Sequence, residues 1–174
     1  MTSDGAALFR AIREHPREDA PRLVYADWLE ENGRPERGEF IRLQCEGSVQ
    51  CPAYPGTARR TRASELLRTF RDDWDAELPS LHGLEWGDIY FRGFVDTVRL
   101  FEVRYMSALL ERAFATAPLR FLFVAEIGRG QLGELLAFPL LGRLTKLYLP
   151  GTFGEAEARL VIAAQGRFPN TEIA

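Results

Sequence analysis

Lysine is almost missing from this chain. Of the 22 basic residues among 174, one is a lysine, Lys146. Such a skew follows genome composition more than function, so it identifies no partner. Cysteine and histidine are nearly as scarce, with Cys45, Cys51, His15 and His82 making up both sets. Two neighbouring cysteines without a nearby histidine cannot complete a four-ligand zinc site, and in a reducing compartment they read as free thiols. No apolar run approaches the roughly 20 residues that a membrane-spanning helix needs. The start, Met1-Thr2-Ser3-Asp4-Gly5, lacks a basic segment followed by an apolar one, so no secretory signal is expected and the expected location is cytoplasmic. A concentrated positive charge is absent too. The net charge is −3, and residues 101–174 carry 8 basic against 7 acidic side chains. Without a basic stripe, nucleic acid is not expected as the main partner.

The second half does carry a repeat. An apolar residue, another at +3 and a third at +5 recur as Val95/Val98/Leu100, Leu119/Leu122/Val124, Leu144/Leu147/Leu149 and Phe168/Thr171/Ile173. Their starts lie 24, 25 and 24 residues apart. A step of about 20–29 residues around an L-x-x-L-x-L core is the signature of a leucine-rich repeat. Each template is followed by a stretch with helical apolar spacing: Met106, Leu109, Leu110, Ala113 and Phe114; Leu132, Leu135, Leu136 and Phe138; Ala158, Leu160, Val161, Ile162 and Ala164. Alternating strand and helix predicts parallel strands. Before the first template, Glu85–Phe91 and Phe94–Leu100 read as two strands around a tight Arg92-Gly93 turn, the first of them capping the stack.

Upstream the pattern is helical. Helices are predicted from Ser3 or Asp4 to Glu14, from Asp19 to an Asn32-Gly33 stop, over Arg37–Glu46, and from Ala58 to Glu77, with a punctuated loop at 47–60. The expected division is a helical domain over 1–46, a loop and connecting helix over 47–84, and a capping hairpin with a short solenoid over 85–174. The expected fold class is therefore α/β: a small N-terminal helical bundle plus a short leucine-rich-repeat-like solenoid with parallel strands.

The block Asp19-Ala20-Pro21-Arg22-Leu23-Val24-Tyr25-Ala26-Asp27-Trp28-Leu29-Glu30-Glu31-Asn32-Gly33, followed by Arg37-Gly38-Glu39-Phe40-Ile41-Arg42-Leu43-Gln44, resembles a bacterial repeat-companion domain. Arg92-Gly93-Phe94-Val95 and Ala117-Pro118-Leu119-Arg120 also resemble members that continue into leucine-rich repeats. The resemblance implies an adaptor or recognition role beside repeat modules, and it supplies no catalytic residues.

Several constellations invite chemistry. Gly128-Arg129-Gly130-Gln131-Leu132-Gly133 matches G-x-G-x-x-G between a predicted strand and helix, where a dinucleotide site would sit. The next strand, however, ends in Pro150-Gly151 with no acidic residue for a ribose, so a turn between repeats is the expectation and a nucleotide-binding protein or enzyme the alternative. Asp27, Glu30 and Glu31 share a helix and read as a solvated face with Arg22 or Arg34 as partners. Neither histidine lies in a nucleophile motif. Arg59, Arg60 and Arg62 form a short basic run, a second alternative as a nucleic-acid contact. Tyr25 and Trp28 read as core aromatics rather than a docking site.

Because side chains alternate along a strand, templates that point inward leave the positions between them on the opposite, concave face. These are Thr97, Arg99, Phe101; Phe121, Phe123, Ala125; Lys146, Tyr148, Pro150; and Asn170, Glu172, Ala174. The expected centre row is Arg99, Phe123, Tyr148, Glu172. Exposed aromatics among charges are the composition of a binding hot spot. Burial of this face beneath the helices is the competing expectation. The function expected is a non-enzymatic protein-binding or adaptor module. Phe121, Phe123 and Tyr148 would hold another protein, and Arg99 and Lys146 would orient it. No cofactor, metal, membrane or small-molecule partner is expected.

Overall fold

The computed structural model describes residues 3–47, 58–101, 105–151 and 153–174, without the side chains at 58–60 and 129. Within these, helices and strands mix in the order α1 (Ser3–Glu14), α2 (Ala20–Glu31), α3 (Pro35–Gly47), α4 (Ala58–Asp75), β1 (Leu84–Trp86), β2 (Tyr90–Phe91), β3 (Phe94–Val95), β4 (Thr97–Leu100), α5 (Met106–Thr116), β5 (Phe121–Val124), α6 (Arg129–Ala137), β6 (Lys146–Tyr148), α7 (Glu155–Arg167) and β7 (Glu172–Ile173). Among the described residues, no helix is long and apolar enough to cross a membrane. The chain forms two compact units, one of residues 1–79 with 90–94 and one of 80–89 with 95–174. The sequence suggested boundaries at 46 and 84 instead.

In the helical unit, Leu8 and Ile12 of α1 and Tyr25, Ala26 and Leu29 of α2 meet Ile41 and Cys45 of α3. Pro21 is tolerated in the first turn of α2, where its missing N–H would have no partner anyway. The helix ends at Asn32 with Gly33 left-handed at φ 76°. Arg22 is fully buried, its guanidinium donating to the Glu18 and Pro16 carbonyls at 2.6 and 2.9 Å just beyond the C-terminus of α1. The Arg92-Gly93 turn puts both residues at positive φ, 49° and 90°, the two-residue hairpin geometry that suits the strand twist. A Cβ on Gly93 would stand 2.3 Å from Ile41 Cγ1, so glycine is required there twice over. Gln44 pins the turn, donating to the Tyr90 carbonyl at 3.1 Å and accepting the Gly93 N–H at 2.7 Å. Each of the two strands expected around this turn is broken in two. Gly87-Asp88 separates β1 from β2, and the buried Asp96 separates β3 from β4.

The second unit is built on a five-stranded sheet in the order β1-β4-β5-β6-β7. The strands β4, β5, β6 and β7 run parallel, and β1 pairs antiparallel with β4 at one edge. One face is dry. Val98, Leu100, Leu122, Val124 and Leu147 pack there with Leu110 and Phe114 of α5 and Leu132 and Leu135 of α6. Burial along β4 and β5 alternates residue by residue, as the templates require. The strands are joined by a recurring hydrogen bond. The Asp96 carbonyl accepts the Arg120 and Phe121 N–H groups at 2.8 and 3.0 Å. The Arg120 carbonyl accepts those of Thr145 and Lys146 at 2.7 and 3.1 Å, and the Thr145 carbonyl accepts that of Glu172 at 2.9 Å.

Two expectations are corrected here. Phe121 is opposite Thr97, Lys146 opposite Phe121, and Glu172 opposite Lys146, so equivalent positions are 24, 25 and 26 residues apart. The last template is displaced by two residues, with Ile173 rather than Thr171 beside Leu147. A shift of two preserves which side chains face inward but moves Glu172 out of the row of Tyr148 and into that of Lys146. The second correction concerns α7, which buries Ala164 and leaves Leu160 and Ile162 exposed at 43% and 72%. Five apolar residues within seven positions wrap more of the helix than its packing against α6 and β7 covers.

Candidate binding face

The face opposite the dry core carries two rows. One runs Thr97, Phe121, Lys146, Glu172, and the other Arg99, Phe123, Tyr148. The strand register sets their spacing, because neighbouring strands lie about 4.8 Å apart. The rings of Phe123 and Tyr148 therefore meet face to face, with centroids 4.1 Å apart and planes within 3°. Both are half-buried, as is Phe121.

The charges around the rings are arranged by the same register. Lys146 Nζ donates to Glu172 Oε1 at 2.6 Å and lies 4.8 Å from the Tyr148 ring centroid. That hydrogen bond from the ammonium to Glu172 pushes the Lys146 pKa up. Arg99 stands opposite Glu85 of β1, 3.7 Å from its carboxylate, and lies over Phe101. Arg120 lies over Phe121 at 5.0 Å while its guanidinium bonds Asp96 at 2.7 and 2.8 Å. That last pair is nearly buried, with 15% and 5% of its side chains exposed. Beside Phe123 a recess of about 440 Å³ is lined by Glu85, Trp86, Gly87, Asp88, Thr97, Arg99 and Phe123. The face offers stacked carbon surface flanked by fixed ion pairs, a surface suited to holding planar or apolar groups. All five residues singled out from the sequence, Arg99, Phe121, Phe123, Lys146 and Tyr148, lie on it.

The other candidates fall elsewhere. Gly128 caps α6 with an ordinary φ of −78°, and its N–H is taken by Gln131 Oε1 at 3.0 Å. A Cβ on Gly130 or Gly133 would meet nothing within 4 Å. The close helix–strand approach that makes the third glycine of a dinucleotide fingerprint necessary is thus not present. Asp27 and Glu30 pair with Arg42, not with Arg22 or Arg34. Arg22 is occupied by carbonyls, and Arg34 pairs with Glu77. His15 is 3.3 Å from Glu18. Arg62 is held by a bidentate contact to Glu39, both bonds 2.8 Å, while the side chains of Arg59 and Arg60 lie outside the described residues. Tyr25 is buried and stacks on Trp28 at 5.6 Å. Burial, followed by the nearby Asp19 carboxylate, pushes the Cys45 thiol up to about 12. Cys51 lies outside the described residues. Among the described residues, no group of three or more His, Cys, Asp or Glu could hold a metal ion.

The Asp96–Arg120 pair was not singled out from the sequence. Its signal is the spacing, since the two residues are 24 apart, one step of the repeat. No family model matches the chain, and neither a curated protein nor a solved structure matches it.

Proposed function

We propose that this protein is a non-enzymatic adaptor that works in the cytoplasm. In this reading the helical unit is a repeat-companion-like domain, and the sheet unit is a short leucine-rich-repeat-like platform. The platform binds another protein through Phe121, Phe123 and Tyr148, with Arg99 and Lys146 setting its orientation. The observation that carries the proposal is the Phe123–Tyr148 stack. Two large rings lie parallel on the strand face away from the core, where they remain partly open to solvent. Aromatics fixed on rigid strands lose little side-chain entropy on binding and so make effective anchors. Affinity capture from a lysate of the source cell, with wild type and a Phe123→Ala/Tyr148→Ala variant, tests the proposal. A protein recovered with wild type and lost with the variant, while the variant keeps the wild-type melting profile, supports it. Equal recovery with both refutes the site.

A further inference from the structure

The sheet ends at β7, and an edge strand presents unpaired N–H and C=O groups on its outer side, a template for another strand. In a parallel ladder alternate residues point their backbone groups to alternate neighbours. Glu172 and Ala174 donate inward, to the Thr145 and Leu147 carbonyls at 2.9 Å each. Thr171 and Ile173 therefore point their backbone groups outward. The Thr171 N–H is bonded to the Phe168 carbonyl at 3.0 Å, and the groups that a strand opposite Glu172 would use are the Thr171 carbonyl and the Ile173 N–H. Both are taken by one side chain. Gln165 Nε2 donates to the Thr171 carbonyl at 2.7 Å, and the Ile173 N–H donates to Gln165 Oε1 at 3.1 Å.

That pairing has the pattern of a parallel strand. A residue of a next strand opposite Glu172 would donate to the carbonyl of 171 and accept from the N–H of 173. The carbonyls of Asp96, Arg120 and Thr145 each receive backbone N–H groups from the following strand, and the Thr171 carbonyl, next in that column, receives the Gln165 amide. We infer that Gln165 is a built-in substitute for a neighbouring strand, which closes the β7 edge against an edge strand from a second copy of this chain.

Each copy brings such a strand in β7 itself, which is bonded to β6 on one side only among the named strands, so two copies lacking the closure would pair edge to edge about a two-fold axis. Apolar surface lies close to the closure. Ile162, one helical turn before Gln165, is exposed, and so is Leu160, so an added copy would gain carbon contact as well as ladder bonds. A primary amide is the side chain fitted to this task. It donates and accepts at the spacing of a peptide group, which a carboxylate cannot do.

The test is Gln165→Ala and, as a near-isosteric variant that neither donates nor accepts, Gln165→Met, each studied by sedimentation from low to high micromolar concentration and by amide exchange. At low concentration the Ile173 amide is expected to exchange at least tenfold faster in both variants. Gln165→Ala is expected to self-associate as concentration rises while wild type stays monomeric, and its Ile173 amide to regain protection on association. Unchanged Ile173 exchange in both variants overturns the inference, as does a Gln165→Ala protein that stays monomeric throughout. Unfolding of Gln165→Ala at low concentration would shift both readings to Gln165→Met, which keeps the size of the side chain but loses both the donor to Thr171 and the acceptor for Ile173.

Discussion

Replacing Asp96 by alanine removes the carboxylate that holds Arg120 at the start of β5. Asp96 is 5% exposed and Arg120 15%, so the loss takes the buried carboxylate from a guanidinium that recovers only part of its hydration in exchange. Breaking a buried ion pair on one side costs roughly 3–5 kcal/mol, and this partial access to water places Asp96→Ala near the lower end, about 3 kcal/mol. The Thr97 hydroxyl, which donates to the same carboxylate at 3.0 Å, loses its acceptor as well. The fitting assay is native-state hydrogen exchange at the amides of β5 and β6. It reads the sheet unit alone, and about 3 kcal/mol corresponds to roughly 150-fold faster exchange through global opening. Arg120→Met leaves the more deeply buried Asp96 without its cation and should cost at least about 3 kcal/mol by the same reasoning. The double variant removes both charges, so it should be less destabilised than the sum of the two by about 2 kcal/mol. Single variants that each exchange within threefold of wild type, or a double variant that is simply additive, would refute the pair as a structural joint.

Two further predictions concern the helical unit. In a Cys51→Ser background, Cys45 should react with a thiol reagent at pH 8 about a thousandfold more slowly than an ordinary thiol, because a pKa near 12 leaves about one part in 10⁴ as thiolate, and should react at the ordinary rate in urea. The sign of the linkage follows from the raised value: the thiol's contribution to stability is complete below about pH 8.5 and is lost as pH rises toward about 12. Gly93→Ala should destabilise the helical unit by at least about 2 kcal/mol, as it combines a positive φ with a 2.3 Å approach to Ile41. Gly133→Ala in open space on α6 should instead stabilise by about 0.5–1 kcal/mol. Thermal melting followed by circular dichroism distinguishes the two, and equal effects would contradict the assignment.

The inward and outward faces of β4, β5 and β6 were legible because alternation is a strict period of two and the repeat step is marked by large apolar residues. The same two periods put Phe123 and Tyr148 side by side from the sequence alone. The last strand was not legible in the same way. Its template includes Thr171, a polar residue buried at 1% exposure with its hydroxyl against the Leu141 and Leu144 carbonyls at 3.0 and 2.8 Å, and apolar pattern alone cannot tell that position from one two residues away. Nor could the sequence reveal that Arg42 serves Asp27 and Glu30, since the pairing depends on how α3 lies against α2. Gln165 carries no signal of its own, being an ordinary residue for a helix surface. Only the position of the β7 edge gives it meaning.

The single lysine places the one side-chain amine of this sequence in the middle of the candidate face. Amine-directed acylation would modify one side chain, Lys146, besides the α-amino group, and would neutralise the charge that holds Glu172 2.6 Å away. A fluorophore or crosslinker could thus be installed beside Tyr148 without engineering a cysteine. A protease specific for lysine would have one peptide bond to cut, between Lys146 and Leu147 inside β6. Leu147 is fully buried there, so the rate of that one cut reports how often the central sheet opens.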